Sequence, residues 1–320
     1  MKVGIDIMGG DFAPDAVIEG IVLAYNDMPS DVSLVLIGPE NIIKQKLRDN
    51  NFSHNSFEIV HAPDTVAMGE APTKVFTQKP ESSIVKGFSL IKEEKIDAFI
   101  SAGNSGAMLV GAIYSSSLIE GLSRPPILAH VPYENGKFGI ILDVGANIDC
   151  KPENLVQFAI LGSVYANIIL KINNPKVGLI NIGEEPAKGN ILTQTTYQLL
   201  KDTKNINFIG NIEGWDLFTG KADVMVCDGF IGNIILKQTE GFYHMLVKHK
   251  LINSYFEQFN YERHGGSPVL GIKSTVIVGH GISNPKTIKT MIFQAIDIHK
   301  ARLSEKLATA IKNNINFVNN

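Results

Sequence analysis

A doubly wound α/β fold is predicted by two observations. Short apolar, β-branched runs recur along the chain, each stopping at a glycine or acidic cluster, and each is followed by a stretch with helical spacing. Several runs are apolar throughout, such as Phe138–Leu142 and Val224–Cys227, as in strands buried on both faces of a parallel sheet. With 320 residues, 44% hydrophobic and 19% charged, the chain is able to bury a large core.

Taken in order, the strand runs fall at Lys2–Met8, Ser33–Gly38, Glu58–His61, Ala98–Ser101, Ile127–Val131, Phe138–Asp143, Val177–Asn181, Asn207–Gly210, Asp223–Cys227 and Thr275–Val278. Helical spacing is predicted over Ala13–Asp27, Asn41–Asp49, Ser82–Lys95, Gly106–Glu120, Glu153–Ile172, Leu192–Asp202 and from Pro285 onward. The alternation is that of βαβ units. Length permits one large domain or two fused lobes, and without an obvious linker the expectation is a single α/β domain over 1–320 with a helical excursion at about 234–264. The stretch around Pro63, Pro72 and Pro80 is read as a long surface loop, either a cover for a cleft or a connector.

Composition excludes several classes. The formal net charge of −3 argues against nucleic acid as a partner. Cys150 and Cys227 are too few and too far apart for a disulfide framework or a zinc cluster, and the Met1–Ile5 start lacks the regions of a signal peptide, so a cytoplasmic setting is expected. The most apolar helical stretch, Leu155–Leu170, is interrupted by Gln157, Ser163 and Asn167, and is read as a core helix.

Small and polar residues collect after the strands, at Ile5–Asp11, Ser101–Gly106, Leu142–Asn147, Asn181–Glu185, Gly210–Gly214, Val226–Asn233 and Val278–Gly281. In a parallel sheet those carboxyl ends share an edge, where ligands bind, so the clusters are expected to line one site. Helices beginning just after Gly103, Gly145 and Gly229 would aim N–H groups at an anion such as phosphate. Taken singly, each Gly-Asn or Asp-Gly pair is also ordinary turn chemistry. No G-x-G-x-x-G, Walker loop, G-x-S-x-G or H-E-x-x-H occurs, which weakens nucleotide, serine-esterase and zinc-hydrolase readings.

Assembled, these segments resemble the bacterial phosphate acyltransferases of phospholipid synthesis, the acyl-carrier-protein:phosphate transacylases. The resemblance runs from Ile5–Pro14 through Ser101–Ala107, Leu142–Asn147, Gly183–Gly189, Cys227–Asn233 and Gly265–Gly271 to His280–Ser283, with Ser105 and Ser267 as small departures. It implies a three-layer α/β/α, Rossmann-like fold similar to that of the isocitrate and isopropylmalate dehydrogenases and the phosphotransacetylases. It also implies a homodimer, acyl carrier protein and inorganic phosphate as substrates, and delivery of the acyl phosphate to a membrane-bound glycerol-3-phosphate acyltransferase. No cofactor or metal is implied.

Acyl transfer to phosphate needs no protein nucleophile, because phosphate is one. The protein has to hold it against the thioester carbon and supply donors to the tetrahedral oxyanion. Lys188, between Glu184, Glu185 and Gly189, is a candidate for neutralising the anion, with both glutamates orienting it; a surface salt bridge is the alternative. Asn233 is a candidate amide donor or a helix cap. The other candidate substrate contacts are Asp6, Gly9, Gly10, Asp11, Gly103, Asn104, Arg124, Asp143, Asn147, Glu184, Asp228 and His280. Several of the aspartates are expected to orient loops, since carboxylates repel phosphate; Arg124 either binds an anion or braces the next strand; His280 is an acid for the departing thiolate or a structural histidine.

From Ile234 to Arg263, Phe242, Met245, Leu246, His249 and Ile252 fall near one helical face, with Phe256, Phe259 and Tyr261 beyond. Two uses are open: a helical pair against a dimer mate, or a tip resting on the membrane surface. A non-catalytic membrane-associated scaffold and a nicotinamide-dependent dehydrogenase are the competing functions. The glycine and asparagine clusters count against the first, and the missing fingerprint weakens the second.

Overall fold

The computed structural model describes residues 1–260 and 263–314. In chain order its elements are β1 (Lys2–Asp6), α1 (Asp15–Tyr25), β2 (Ser33–Gly38), α2 (Glu40–Asp49), β3 (Glu58–His61), α3 (Pro72–Gln78), α4 (Ser83–Lys92), β4 (Ala98–Ser101) and α5 (Ser105–Ser115). There follow β5 (Leu128–Pro132), β6 (Phe138–Leu142), α6 (Pro152–Ile168), β7 (Lys176–Ile180), α7 (Ile191–Asp202), β8 (Asn207–Ile212), β9 (Val224–Val226) and α8 (Gly229–Lys248). The chain closes with β10 (Ser267–Pro268), β11 (Thr275–Val278), α9 (Pro285–Lys300) and α10 (Leu303–Asn314). Mixed, mainly parallel sheets alternating with helices make this the α/β fold that the apolar runs predict.

The strands divide between two sheets, each within its own compact unit. Unit 1 comprises Met1–Ser117 and Tyr261–Lys300, with sheet order β10-β11-β4-β1-β2-β3, parallel except for β10. Val3, Ile5, Phe99, Ile100 and Ile277 are at most 1% exposed, as both-face burial requires. Unit 2 comprises Leu118–Asn260 and Ala301–Asn320, with order β5-β6-β9-β7-β8, parallel except for β5. The central β9 is wholly inaccessible. The helix read from Leu155–Leu170 is α6, with Leu155, Phe158, Leu161 and Tyr165 in the core. Its polar Gln157 is spent inside the protein: the carboxamide oxygen accepts from Ser123, and the nitrogen donates to the Gly121 carbonyl.

Four expectations need correction. The loop around Pro72 contains α3, with the proline in its first turn, where a missing N–H costs nothing. The excursion after β9 begins with one 20-residue helix, α8, which starts at Gly229; in place of a second long helix among the described residues, Lys250 turns left-handed (φ 56°) and the 3-10 turn Phe256–Phe259 follows. The 242–252 face is not uniform, since Leu246 is buried with Tyr243 while Phe242 and Met245 are exposed. The last helix is broken at Arg302 (φ 51°) into α9 and α10. Tyr261 and the chain after 314 lie outside the described residues. Among the described residues, no helix is long and apolar enough to cross a membrane.

Candidate active site

In unit 1 the candidate residues gather at the carboxyl ends of β1, β4 and β11. Asp6 is buried at the end of β1; it accepts the Ser101 hydroxyl at 2.6 Å and the Met8 N–H at 3.0 Å. Burial pushes its carboxyl above the usual carboxylate range, and these hydrogen bonds only partly oppose that. The Ser101 oxygen in turn accepts the Gly103 N–H at 2.9 Å, while Gly9 packs against Asp6, Ser101 and Gly103. Asp6 is therefore a strut that shapes the Gly9–Gly10 and Gly103 loops. Asp11 ties the first loop to the last through its N–H, 2.7 Å from the Gly281 carbonyl, next to His280, whose own carbonyl accepts the Ser283 hydroxyl.

Asn104, a candidate substrate contact, has a side chain that is already committed. The carboxamide oxygen caps α5 by accepting the Ala107 N–H at 2.9 Å, and the nitrogen lies within 3.0–3.1 Å of the carbonyls of Ala67, Met68 and Glu70. It fixes the loop before α3 onto the start of α5.

In unit 2 the centre is Asp143, just past β6 and wholly buried. It accepts the N–H groups of Ile127 (3.0 Å), Gly145 (3.3 Å), Ala146 (3.2 Å) and Asn147 (2.6 Å), and the Asn147 carboxamide (2.9 Å). Burial again raises this carboxyl against those hydrogen bonds. The amides expected to meet an anion after Gly145 are thus taken by Asp143, and the next helix, α6, begins only at Pro152. Asn147 also donates to the Pro125 carbonyl at 3.0 Å, and Arg124 donates to the Asp149 carbonyl at 2.8 Å, so both brace this loop.

Helix α8 starts against the same loop. Asp228 caps it by accepting the Ile231 N–H, and the Gly229 N–H is taken by the Asn147 carbonyl at 2.8 Å, so this helix start too is partly occupied. A side chain at Gly232 would overlap the Asp143 carbonyl oxygen, so glycine sets how closely α8 approaches. Asn233 reaches from the helix to donate to the Val144 carbonyl at 3.1 Å. One carboxamide hydrogen is spent there, and the group carries a second.

Lys188 stands on the loop between β7 and α7, its side chain half-exposed and its ammonium 3.8 Å from Glu185. Asn181 donates to the Lys188 carbonyl and Asn211 to that of Glu185, fixing the loop from both sides. Glu184, expected to orient Lys188, is bound instead by Lys221, which also reaches Asp216 at 2.8 Å. Sequence reasoning missed Lys221 because its partners lie 5 and 37 residues away. It also missed Ser101, which stands in a cluster but carries no motif.

The chain matches the model of the family described as "Fatty acid synthesis protein" over residues 1–306. A protein from Halothermothrix orenii named phosphate acyltransferase is 41% identical, over 99% of both chains. Another of that name from Dictyoglomus turgidum is 42% identical, over 96% of both. Among solved structures, a phosphotransacetylase from Streptococcus pyogenes superposes with a TM-score of 0.63 at 16% identity, covering 98% of this chain and 94% of that one. A branched-chain phosphotransacylase from Enterococcus faecalis V583 gives 0.63 at 15%, covering 93% and 99%. These two likenesses are ones of fold. Matched along nearly its whole length by the family model and by relatives at about 40% identity, the chain belongs to the phosphate acyltransferase family of fatty acid synthesis proteins.

Proposed function

We propose that this acyltransferase moves a fatty acyl group from the thioester of acyl carrier protein to inorganic phosphate. A phosphate oxygen attacks the thioester carbon, the tetrahedral oxyanion collapses, and acyl phosphate and the carrier thiolate separate. The observation that carries this is the pairing pattern on the β7–α7 loop: Glu184 is engaged by Lys221, and Lys188 stands half-exposed on an anchored loop with its ammonium 3.8 Å from Glu185. Lys188 is the proposed partner of phosphate or of the oxyanion. Asn233, oriented by Val144, offers its second amide hydrogen to the same charge. His280 and the Gly9–Asp11 and Gly103 loops are proposed as substrate contacts in unit 1; Asp6, Asp143, Asn104, Asn147, Arg124 and Asp228 act by shaping loops.

The decisive assay loads acyl carrier protein with palmitate, adds phosphate and follows free carrier. Phosphate-dependent release is expected, and Lys188→Ala and Asn233→Ala should each lower kcat by roughly 10²–10³, the loss typical for one oxyanion donor. Wild-type release that ignores phosphate would sink the proposal, and full activity in both variants would sink the roles given to them.

A cytoplasmic homodimer that visits the membrane and hands acyl phosphate to a membrane-bound glycerol-3-phosphate acyltransferase completes the proposal. It is supported by the exposed apolar residues of α8, Phe230, Ile231, Ile234, Phe242 and Met245, which are 40–55% accessible. Phe242→Glu with Met245→Glu should reduce sedimentation with anionic liposomes if the face meets lipid. If it meets a second copy, the same variant should shift sedimentation velocity toward monomer; neither change would remove this use of the face.

A further inference from the structure

The side of α8 that faces the sheet leaves a small cavity of about 30 Å³ in unit 2. Its walls include Ala129 and Val131 of β5, Ile141 of β6, Leu217, and Ile235 and Leu236 of α8. Polar lining is confined to His130 and Thr239, and the Thr239 hydroxyl is turned onto its own helix, donating to the Ile235 carbonyl at 2.9 Å. A bound water needs two to four polar partners, so this space favours carbon.

Two of the elements that line the cavity, β6 and α8, also carry residues of the candidate site. Ile141 lies on β6, two residues before Asp143. Ile235 and Thr239 lie two and six residues after Asn233, about 3 and 9 Å of helix rise. The strand and helix whose ends meet at the Asn233–Val144 contact therefore also supply walls of the cavity. Phe218 closes another side and stands edge-on to Phe259, with ring centroids 5.4 Å apart, and Phe259 in turn touches Tyr255 and Phe256. Phe218 ends the 3-10 turn Gly214–Phe218 before β9, and the rings of Tyr255, Phe256 and Phe259 come from the irregular segment after α8.

We propose that the cavity receives the acyl chain of the substrate and that Ala129 and Leu236 set which chains are accepted. The inference rests on the acyl-transfer reading above. An acyl chain leaves the reacting carbonyl as bare methylenes, and they require an apolar path that begins within a few ångströms of the oxyanion donor. Since one water occupies about 10–15 Å³ by this measure, the cavity admits two or three carbons as it stands. A longer chain continues under the Phe218–Phe259 pair, which swings outward. Ala129 matters because its lone methyl leaves room; Leu236 matters because it fills space from the helix side.

The test compares butyryl-, octanoyl- and palmitoyl-loaded carrier with phosphate as acceptor. Ala129→Leu fills the cavity and should lower the palmitoyl-to-butyryl ratio of kcat/KM about tenfold or more, the discrimination typical of a crowded apolar pocket. Leu236→Ala widens it and should raise that ratio or admit methyl-branched chains that wild type rejects. Ratios taken within one variant cancel any loss of folded protein, and Leu236→Ala decides the matter if Ala129→Leu does not fold. A chain-length profile of unchanged shape in the folded variants overturns the inference. Absence of phosphate-dependent release from wild type with every chain would instead overturn the acyl-transfer reading itself.

Discussion

Asn233 donates its side-chain amide to the carbonyl of Val144 at 3.1 Å, and Gly145, the next residue, has no side chain to obstruct it. The first turns of α8 and the loop after β6 are held together at this point.

Gly145→Ala should break that arrangement. The residue sits at φ 138°, and a Cβ there would stand 2.8 Å from the Asn233 amide nitrogen. Backbone strain of about 1–3 kcal/mol is expected, with a thermal midpoint lower by several degrees at about 2–4 °C per kcal/mol. Calorimetry should show that loss, and phosphate-dependent turnover should fall together with it; a variant with wild-type midpoint and turnover would refute the contact's importance.

Gly232→Ala tests the same junction from the helix. Its Cβ would run into the Asp143 carbonyl oxygen, which is backbone, so α8 has to move. A cost of about 1–3 kcal/mol or more is expected from overpacking. Gly241→Ala on the same helix, where a Cβ meets nothing, should be neutral or slightly stabilising, and urea denaturation of the pair provides the comparison.

Asn104→Ala removes a helix cap worth about 1 kcal/mol and leaves three carbonyls without this donor. Amide exchange should accelerate in α5's first turn. The loop at residues 65–71 should respond with it, while α8 keeps its protection.

Asp6→Asn addresses the buried carboxyl. Because burial raises its folded pKa above the unfolded value, the stability contributed by its proton is fully present below about pH 3.8 and is lost as pH rises through the folded pKa. Asparagine does not titrate, so the difference in thermal midpoint, variant minus wild type, should increase with pH across that window. A pH-independent difference would show that Asp6 is not perturbed in this direction.

Much of the fold was legible because most of its strands are apolar runs: Ser33–Gly38, Ala98–Ser101 and Thr275–Val278 fall where those runs predict, and so does the edge strand Glu58–His61, whose ends are exposed. The division into two sheets was not legible, because pairings such as β11 with β4 join residues more than 170 positions apart, as between Thr275 and Ala98. Pro72 marks a loop by residue type alone, but proline also opens helices, and here it opens α3. Within the candidate site, residue types pointed to the right places but not to what they do there. Nothing local distinguishes an asparagine that meets substrate from Asn104 or Asn147, whose amides are consumed by carbonyls brought close only by folding. Glu184 and Glu185 are neighbours in sequence, yet the β7–α7 loop sends one to Lys221 and leaves the other beside Lys188.

Each sheet also ends on an antiparallel strand that closes with proline, Pro268 in β10 and Pro132 in β5, and proline brings no N–H to an edge. At the opposite rims, β3 is four residues long and its Glu58 is paired with Lys2, while β8 slips register against β7 at Val177–Gly178. All four rims therefore resist accepting a strand from another molecule. Fibrous growth by edge-to-edge addition is discouraged throughout, and copies of this chain that associate are directed to do so through side-chain surfaces.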